Sequence, residues 1–296
     1  MNSREAVIAS LTAEKPVLIA GPTASGKSRL AMEIAARFGS SVVNADALQV
    51  YCDWRILTAR PDVKDEAKVT HALYGHVAGS QNYSVGDWLR EVKPRLADKP
   101  PVIVGGTGLN FTSLTEGLAD IPEVPEGVRR LANERREAEG LASLISELDD
   151  ETRRRIDTAN PRRVQRAWEV LQSTGRGLAS WQDSTGPAVL PLSQAQPIVL
   201  AAPKSWLSPR IDHRFDLMLD AGVLDEAKSN AATWHPGLPS AKAIGATELI
   251  AHVKGEKDLA ATKEAIITQT RQYAKRQRSW FRARMREWRW IEASDL

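Results

Sequence analysis

Gly21-Pro22-Thr23-Ala24-Ser25-Gly26-Lys27-Ser28 lies between an apolar run, residues 16–20, and a stretch of helical spacing (Leu30, Ile34, Phe38) that Gly39 ends. Glycine, four residues, then Gly-Lys-Ser is the P-loop pattern, and strand–loop–helix is the context it requires. The glycines let successive backbone N–H groups curl around phosphate oxygens at the positive end of the following helix. Lys27 adds a point charge, and the Ser28 hydroxyl is a Mg²⁺ ligand in this pattern. The motif specifies a turn for a di- or triphosphate, without saying which compound carries it.

Working outward, residues 41–43 read as a second strand ending at Asn44-Ala45-Asp46, and residues 87–97 as a helix. Residues 101–104 read as another buried strand, running into Gly105-Gly106-Thr107-Gly108. Strands alternating with helices predict an α/β fold, a P-loop NTPase-like parallel sheet with helices on both faces. After Gly117 the character changes. Ile121-Pro122-Glu123-Val124-Pro125 reads as a stiff linker, and residues 128–182 show helical periodicity without strand signals. Residues 184–196, rich in Pro, Ser and Gly, read as a return linker before the strand Pro197-Ile198-Val199-Leu200-Ala201-Ala202. The expected organisation is a core of residues 1–118 and 197–296 interrupted by an all-helical insertion domain, residues 119–196. A chain of 296 residues suits two domains at about 150 residues each.

In open α/β sheets, ligands bind outside the carboxyl ends of the strands. Asp46 and Thr107 both fall there. Asp46 could be a Mg²⁺ ligand, a general base or a turn carboxylate; Thr107 could face the ligand or simply close a turn. The strand ending Val102-Ile103-Val104-Gly105-Gly106 carries no acid. That disfavours a helicase, transporter or GTPase motor and leaves small-molecule kinases and phosphate-ester transferases.

Forty Lys and Arg against 37 Asp and Glu give a net charge of only +3, so placement matters more than total. Residues 271–290 hold eight basic groups and the single acid Glu287. At ~100° per residue, Arg271, Lys275, Arg278, Arg282, Arg286 and Arg289 share one face of a long helix. Ile266, Tyr273 and Trp280 beside Ile267, Ala274 and Phe281 form a second face. The stripe reads either as a solvated charged face or as a grip on a polyanion, with Trp and Tyr available to stack on bases. Residues 128–182 contain eleven arginines and no lysine. No apolar stretch approaches the ~18 residues of a membrane span. Residues 1–14, charged at Arg4, Glu5 and Glu14, do not read as a signal peptide. One cysteine, Cys52, permits no internal disulfide and no cysteine-based zinc site, which fits a reducing cytoplasm.

These motifs, with Asp46-Ala47-Leu48-Gln49-Val50-Tyr51 and Gly105-Gly106-Thr107-Gly108-Leu109, resemble the bacterial tRNA dimethylallyltransferase family. Further matches occur in the family's order: Thr58-Ala59-Arg60-Pro61, Tyr83-Ser84 with Asp87, and Asn160-Pro161-Arg162-Arg163-Val164-Gln165-Arg166-Ala167. Arg214-Phe215, Ala243-Ile244-Gly245 and Ala274-Lys275-Arg276-Gln277 with Trp280 follow, so the resemblance spans residues 17–282. It implies transfer of a dimethylallyl group from dimethylallyl diphosphate to N6 of the adenine at position 37, beside the anticodon of tRNA. It further implies that residues 21–28 with Arg214 hold the diphosphate, with Mg²⁺ on Ser28 and Asp46. Catalysis would fall to Asp46, which takes a proton from the adenine amine, with Thr107 and Lys27. Contacts to the tRNA anticodon stem-loop would come from Asp46, Ala47, Leu48 and Gln49; from Arg129, Arg162, Arg163, Val164, Gln165 and Arg166; and from Lys242, Ala243, Ile244, Gly245, Ala246 and Thr247. Arg278 and Arg282 complete that set. A cytoplasmic monomer that needs no membrane is expected.

The chain departs from the family pattern at Ala47, Leu57 and Ala246, where serine, glycine and tyrosine are common. The alternatives are an adenylate isopentenyltransferase acting on a free nucleotide and a P-loop small-molecule kinase. The arginine-rich insert and the basic stripe argue against both, because a small acceptor leaves such surfaces nothing to hold.

Overall fold

The computed structural model describes residues 3–97 and 99–296. The chain forms two units, one of residues 1–115 with 189–296 and one of residues 116–188. The larger unit is built on six strands: β1 (Val17–Ala20), β2 (Val42–Asn44), β3 (His71–Ala72), β4 (Val102–Gly105), β5 (Gln196–Ala201) and β6 (Arg289–Glu292). They lie in the order β3-β2-β4-β1-β5-β6, and every pairing is parallel. β1 is central, with Ile19 opposite Val104 on one side and Ile198 on the other.

A parallel sheet covered on both faces needs apolar residues pointing both ways. Val17 and Ile19 of β1, Val102 and Val104 of β4, and Ile198 and Leu200 of β5 enter one apolar cluster. Leu18, Ile103 and Val199 enter another. The first is covered by α1 (Ser3–Ala9), α2 (Lys27–Phe38) and α11 (Lys204–Asp220), through Val7, Leu30, Ile34, Leu207 and Ile211. The second is covered by α4 (Val85–Val92) and α5 (Gly108–Glu116), through Trp88, Val92, Phe111 and Leu114. Between β2 and β3 lies the short exposed α3 (Val63–Lys68). A third cluster unites Phe215 of α11 with α12 (Val223–Ala231), α13 (Ala246–Val253) and α14 (Leu259–Arg284), around Trp54 and Leu57. α14 also sends Ala274 into the first cluster and Phe281 into the second, so one helix braces both faces of the sheet.

The smaller unit is wholly helical: α6 (Glu126–Glu139), α7 (Leu141–Ser146), α8 (Asp150–Arg155), α9 (Pro161–Thr174) and α10 (Leu178–Asp183). Its core is Ala132, Leu144, Leu148, Val164, Ala167 and Trp168. Asn160 caps α9 by accepting from the Arg162 and Arg163 amides, and Pro161 at the first helical position costs no hydrogen bond there.

Three expectations change. The long basic helix stops at Arg284 rather than continuing to Trp290. Met285 and Trp288 turn into the core, and residues 289–292 pair with β5; Arg286 and Arg289 therefore leave the helical stripe. Residues 87–97 are only partly α-helical, because the chain tightens into a 3₁₀ turn at Lys93–Leu96, which carries Pro94. Finally, residues 189–196 belong to the larger unit, where Val189, Leu190, Leu192 and Ala195 pack in the second cluster.

Candidate active site

β1 leads straight into the loop 21–26, where Ala24 and Gly26 take positive φ of 62° and 87°. Gly26 caps α2 without any side-chain hydrogen bond, so the first N–H groups of α2 stay open toward the loop. The helix dipole adds partial positive charge at that end. Lys27 folds back over the loop, its Nζ 3.4 Å from the Pro22 carbonyl oxygen. Ser28 is exposed in the same first turn.

At the ends of β2 and β4, a set of hydrogen bonds holds Asp46 and Thr107 in place. The fully buried Asn44 accepts the Asp46 N–H at 2.8 Å and donates to the carbonyls of Asp46 (3.0 Å) and Leu73 (2.9 Å). Trp88 Nε1 donates to the Asn44 carbonyl at 2.6 Å. Asp46 Oδ1 accepts the Leu48 N–H at 3.0 Å. Thr107 Oγ1 accepts the Ala47 N–H at 3.0 Å, and the Thr107 N–H reaches the Ala45 carbonyl at 3.2 Å. Gly105 is required here, because a Cβ would sit 2.0 Å from the Ala45 oxygen.

Gln277 of α14 ties these loops to the P-loop. Its Oε1 accepts the Thr23 N–H at 2.9 Å while its Nε2 donates to the Gly106 carbonyl at 2.9 Å. Arg214 of α11 donates to Thr23 Oγ1 at 2.9 Å. Tyr273 lies one helical turn before Gln277, and the Thr107 and Gln277 side chains act on its hydroxyl. Sequence reasoning missed Asn44, Tyr273 and Gln277 as site residues. For Gln277 a signal existed: it is polar yet lies on the core edge defined by Ala274 and Phe281.

Electrostatically, Lys27, Arg214 and Asp46 form a group. Burial lowers the Lys27 ammonium to a pKa of about 8; Asp46 opposes that shift and Arg214 adds to it. Burial also lowers Arg214, again opposed by Asp46. Burial and the Asp46 charge both raise Tyr74 and Tyr273. Two cations share one carboxylate, and an incoming anion would stabilise both.

Lys27, Asp46, Arg214 and Tyr273 line one cavity of about 510 Å³. Thr23, Lys27, Ser28, Asp46, Arg214 and Gln277 make its polar part, and Ile211, Phe215, Met218, Ile244, Ile266 and Ile267 its apolar part. Gln49 lines it too, donating to the Thr58 and Ala59 carbonyls at 2.9 and 3.0 Å. So do Leu48 and the arginines Arg55 and Arg60. Ala47 is exposed next to it in sequence.

The remaining predicted tRNA contacts divide by burial. Arg162, Arg163 and Arg166 are exposed on α9, although the inner part of the Arg166 side chain is desolvated enough to lower its pKa, an effect that Glu169 opposes and Arg129 adds to. Val164 is buried in the insert core. Gln165 is committed within the insert, to Arg136 at 2.7 Å, Glu169 at 2.9 Å and Asn133 at 3.0 Å. Lys242 and Thr247 are exposed, but Ala243 and Ala246 are packed in the third cluster. Gly245 has a φ of 93°, which disfavours any side chain, and a Cβ there would press on Ile266 at 3.0 Å. Val164, Ala243, Gly245 and Ala246 therefore shape the backbone and offer no side chain to a partner. Arg282 is exposed and Arg278 half-buried.

Comparison with known proteins is consistent with this geometry. The family model "IPP transferase" matches residues 49–284, and "isopentenyl transferase" matches residues 15–76. A tRNA dimethylallyltransferase of Dinoroseobacter shibae is 59% identical over 284 residues, covering 95% of this chain and 96% of that protein. The crystal structure of a full-length tRNA isopentenylpyrophosphate transferase from Bacillus halodurans superimposes with a TM-score of 0.66 at 28% identity, covering 95% of this chain and 90% of its own. A eukaryotic dimethylallyltransferase captured acting on tRNA shares the fold with a TM-score of 0.80 at 24% identity, covering 95% of this chain and 74% of that one.

Proposed function

This chain belongs to the IPP transferase family, and from that membership we infer its chemistry: it is an enzyme that transfers a dimethylallyl group to an adenine of tRNA. We propose that the donor is dimethylallyl diphosphate. The acceptor is N6 of adenine 37, beside the anticodon, and the products are N6-(dimethylallyl)adenosine and diphosphate. The observation that carries this reading is the single cavity in which a phosphate loop, an apolar wall and a carboxylate meet.

The diphosphate belongs on residues 21–28, against the open amides of α2, with Lys27 and Arg214 as its counter-charges. Ser25 Oγ is buried there without a hydrogen-bond partner; a phosphate oxygen would supply the missing acceptor. The five-carbon prenyl group belongs against Ile211, Phe215 and Met218, gaining about 0.8 kcal/mol per buried methylene.

Attack by N6 forms the N–C bond as the C–O bond to diphosphate breaks, and the electron pair leaves on the diphosphate oxygen. Preorganised positive charge at that oxygen lowers the barrier. Asp46 takes the N6 proton, and Thr107 with Tyr273 orients the amine beside it. Oδ1 of Asp46 accepts from Leu48, so Oδ2 is the oxygen we assign to the proton. Ser28, exposed in the first turn of α2, would hold Mg²⁺ through its hydroxyl, an oxygen donor of the kind that ion accepts. When bound it would offset the charge on the departing diphosphate. The protein alone offers it no cage, since no group of three His, Cys, Asp or Glu clusters among the described residues.

An adenine in an anticodon loop must leave its stack to reach Asp46, at a cost of a few kcal/mol. Arg162, Arg163 and Arg166 with Arg129, and Lys242 with Thr247, are the proposed phosphate and loop contacts that offset it. Arg278 and Arg282 add to them. The chain is proposed to act as a monomer, in the cytoplasm. The test is Asp46→Asn. Turnover should fall by about 10²–10⁴-fold, the usual contribution of a positioned base, with the tRNA dissociation constant changed by less than about twofold. Equal losses of affinity and turnover would make Asp46 a binding residue instead.

A further inference from the structure

A second cavity, of about 390 Å³, lies against the P-loop, and Arg278 and Arg282, already assigned to the tRNA, are part of its wall. It is lined by Pro22, Arg278, Arg282, Arg286, Trp290 and Glu292, together with the end of β5. Its neighbourhood to the reaction cavity is direct: Thr23 and Gln277, joined by their 2.9 Å hydrogen bond, line the first cavity, and their chain neighbours Pro22 and Arg278 line the second.

Among the described residues, Arg278 and Arg282 of α14 and Arg286 just beyond it form no ion pair, unlike Arg271 of α14, which is paired with Asp212 at 2.6 Å. The Nε of Arg278 is buried with no hydrogen-bond partner. A buried N–H of a cation without an acceptor is costly, and native structures seldom leave one unless something else completes it. Trp290 is 37% exposed, and its ring is fixed, because Nε1 donates to the Met285 carbonyl at 2.9 Å and β6 holds it opposite Val199. Three unpaired guanidinium groups beside a fixed, open indole face match the two halves of a nucleotide, phosphate and base. Glu292 would repel a phosphate placed next to it, so the phosphate belongs with the arginines, leaving the carboxylate to accept from a base amino group.

Resting on the reaction inferred above, we propose that this pocket receives a nucleotide of the tRNA flanking the extruded adenosine, holding its phosphate on Arg278, Arg282 and Arg286 and its base on Trp290. Extrusion of one base leaves its neighbours unstacked, and a stacking surface beside the reaction cavity gives one of them a new partner. The same chemistry would also admit a free mononucleotide, and the experiment separates the two.

The test uses the full chain, labelled dimethylallyl diphosphate and an anticodon stem-loop RNA, with Arg282→Ala/Arg286→Ala, Trp290→Ala and Trp290→Phe. Wild-type transfer to the stem-loop, measured first, tests the underlying reaction separately. The double arginine variant should raise the KM for RNA about tenfold or more and reduce its log–log salt slope by one to two units. Trp290→Ala should raise it about tenfold, and Trp290→Phe, which keeps an aromatic face, should restore most of the loss. The KM for the prenyl donor should stay within twofold throughout. An RNA KM unchanged in both alanine variants would overturn the proposal. So would binding of AMP by equilibrium dialysis that the arginine variant loses while RNA kinetics stay unchanged, since the occupant would then be a free nucleotide.

Discussion

Two stretches of this chain are rich in arginine, and they use it differently. In the insert, Arg130, Arg135, Arg153, Arg154 and Arg155 each lie against a carboxylate of their own unit. Arg129 is 3.7 Å from Glu123, and Arg176 is occupied by Ser180 and Ser184. Only the side chains of Arg162, Arg163 and Arg166, on the first turns of α9, make neither ion pair nor hydrogen bond. On α14 the proportions reverse: Arg271 is paired, whereas Lys275, Arg278 and Arg282 are not. An exposed ion pair contributes little stability, roughly 0–1 kcal/mol, but it cancels field. Arginine content in a sequence thus overstates the charge offered to a polyanion, and the pairing pattern marks where that charge remains.

The difference extends inward, because α14 also carries the residue that couples the loops of the cavity. Gln277→Leu should have the largest effect of the tests that follow. It leaves the Thr23 N–H and the Gly106 carbonyl without their partner, at about 1–3 kcal/mol each, and frees the P-loop to shift. Displacements of about 1 Å can cost 10²-fold in rate. Donor kcat/KM should fall by about that factor while tRNA affinity holds, in steady-state assays paired with filter binding. A loss confined to tRNA affinity would place Gln277 in the RNA grip.

The contrast within the insert is tested more directly by paired variants. Arg162→Ala with Arg166→Ala should weaken tRNA binding about tenfold and lower the salt slope by about two units, one per lost phosphate contact. Arg153→Ala with Arg154→Ala, which removes cations already matched to Asp150 and Glu151, should leave both within error. Equal effects in the two pairs would break the distinction between free and matched arginines.

The smallest effect concerns Lys27, a cation whose charge changes a little above neutral pH. Lys27 has its pKa depressed to about 8 by burial, so free enzyme carries the ammonium below that pH and loses it above. Donor kcat/KM, which reports the free enzyme, should therefore fall as pH rises through about 8, by roughly fourfold between pH 7 and 8.5. Lys27→Arg, whose guanidinium remains charged, should flatten that limb even if its overall activity is lower. A limb that persists in Lys27→Arg would assign the titration elsewhere.

Much of the architecture was legible in the sequence because buried parallel strands are continuous apolar runs; β1, β2, β4 and β5 read that way. β3, two half-buried residues long, and β6, largely exposed, gave no such run. The end of α14 was hidden for another reason. No glycine or proline stands near Met285, and the helix stops because Met285 and Trp288 pack into the core, a tertiary effect that helical periodicity does not register. In the site, Lys27, Ser28, Asp46, Thr107 and Arg214 could be named in advance because strand ends, glycine spacing and an ordered set of motifs marked them. Asn44 and Gln277 act through buried hydrogen bonds to backbone, which depend on where distant segments meet. The positions at 243, 245 and 246 show the converse: a motif gave their location, and only packing shows that their side chains face inward.

The most direct measurement is transfer of label from dimethylallyl diphosphate, with Mg²⁺, to total tRNA or to AMP in parallel reactions. Label should enter tRNA at an adenine beside the anticodon, with release of diphosphate and little or no labelled AMP. Label in AMP alone, or consumption of the terminal phosphate of ATP with the prenyl donor untouched, would contradict the account.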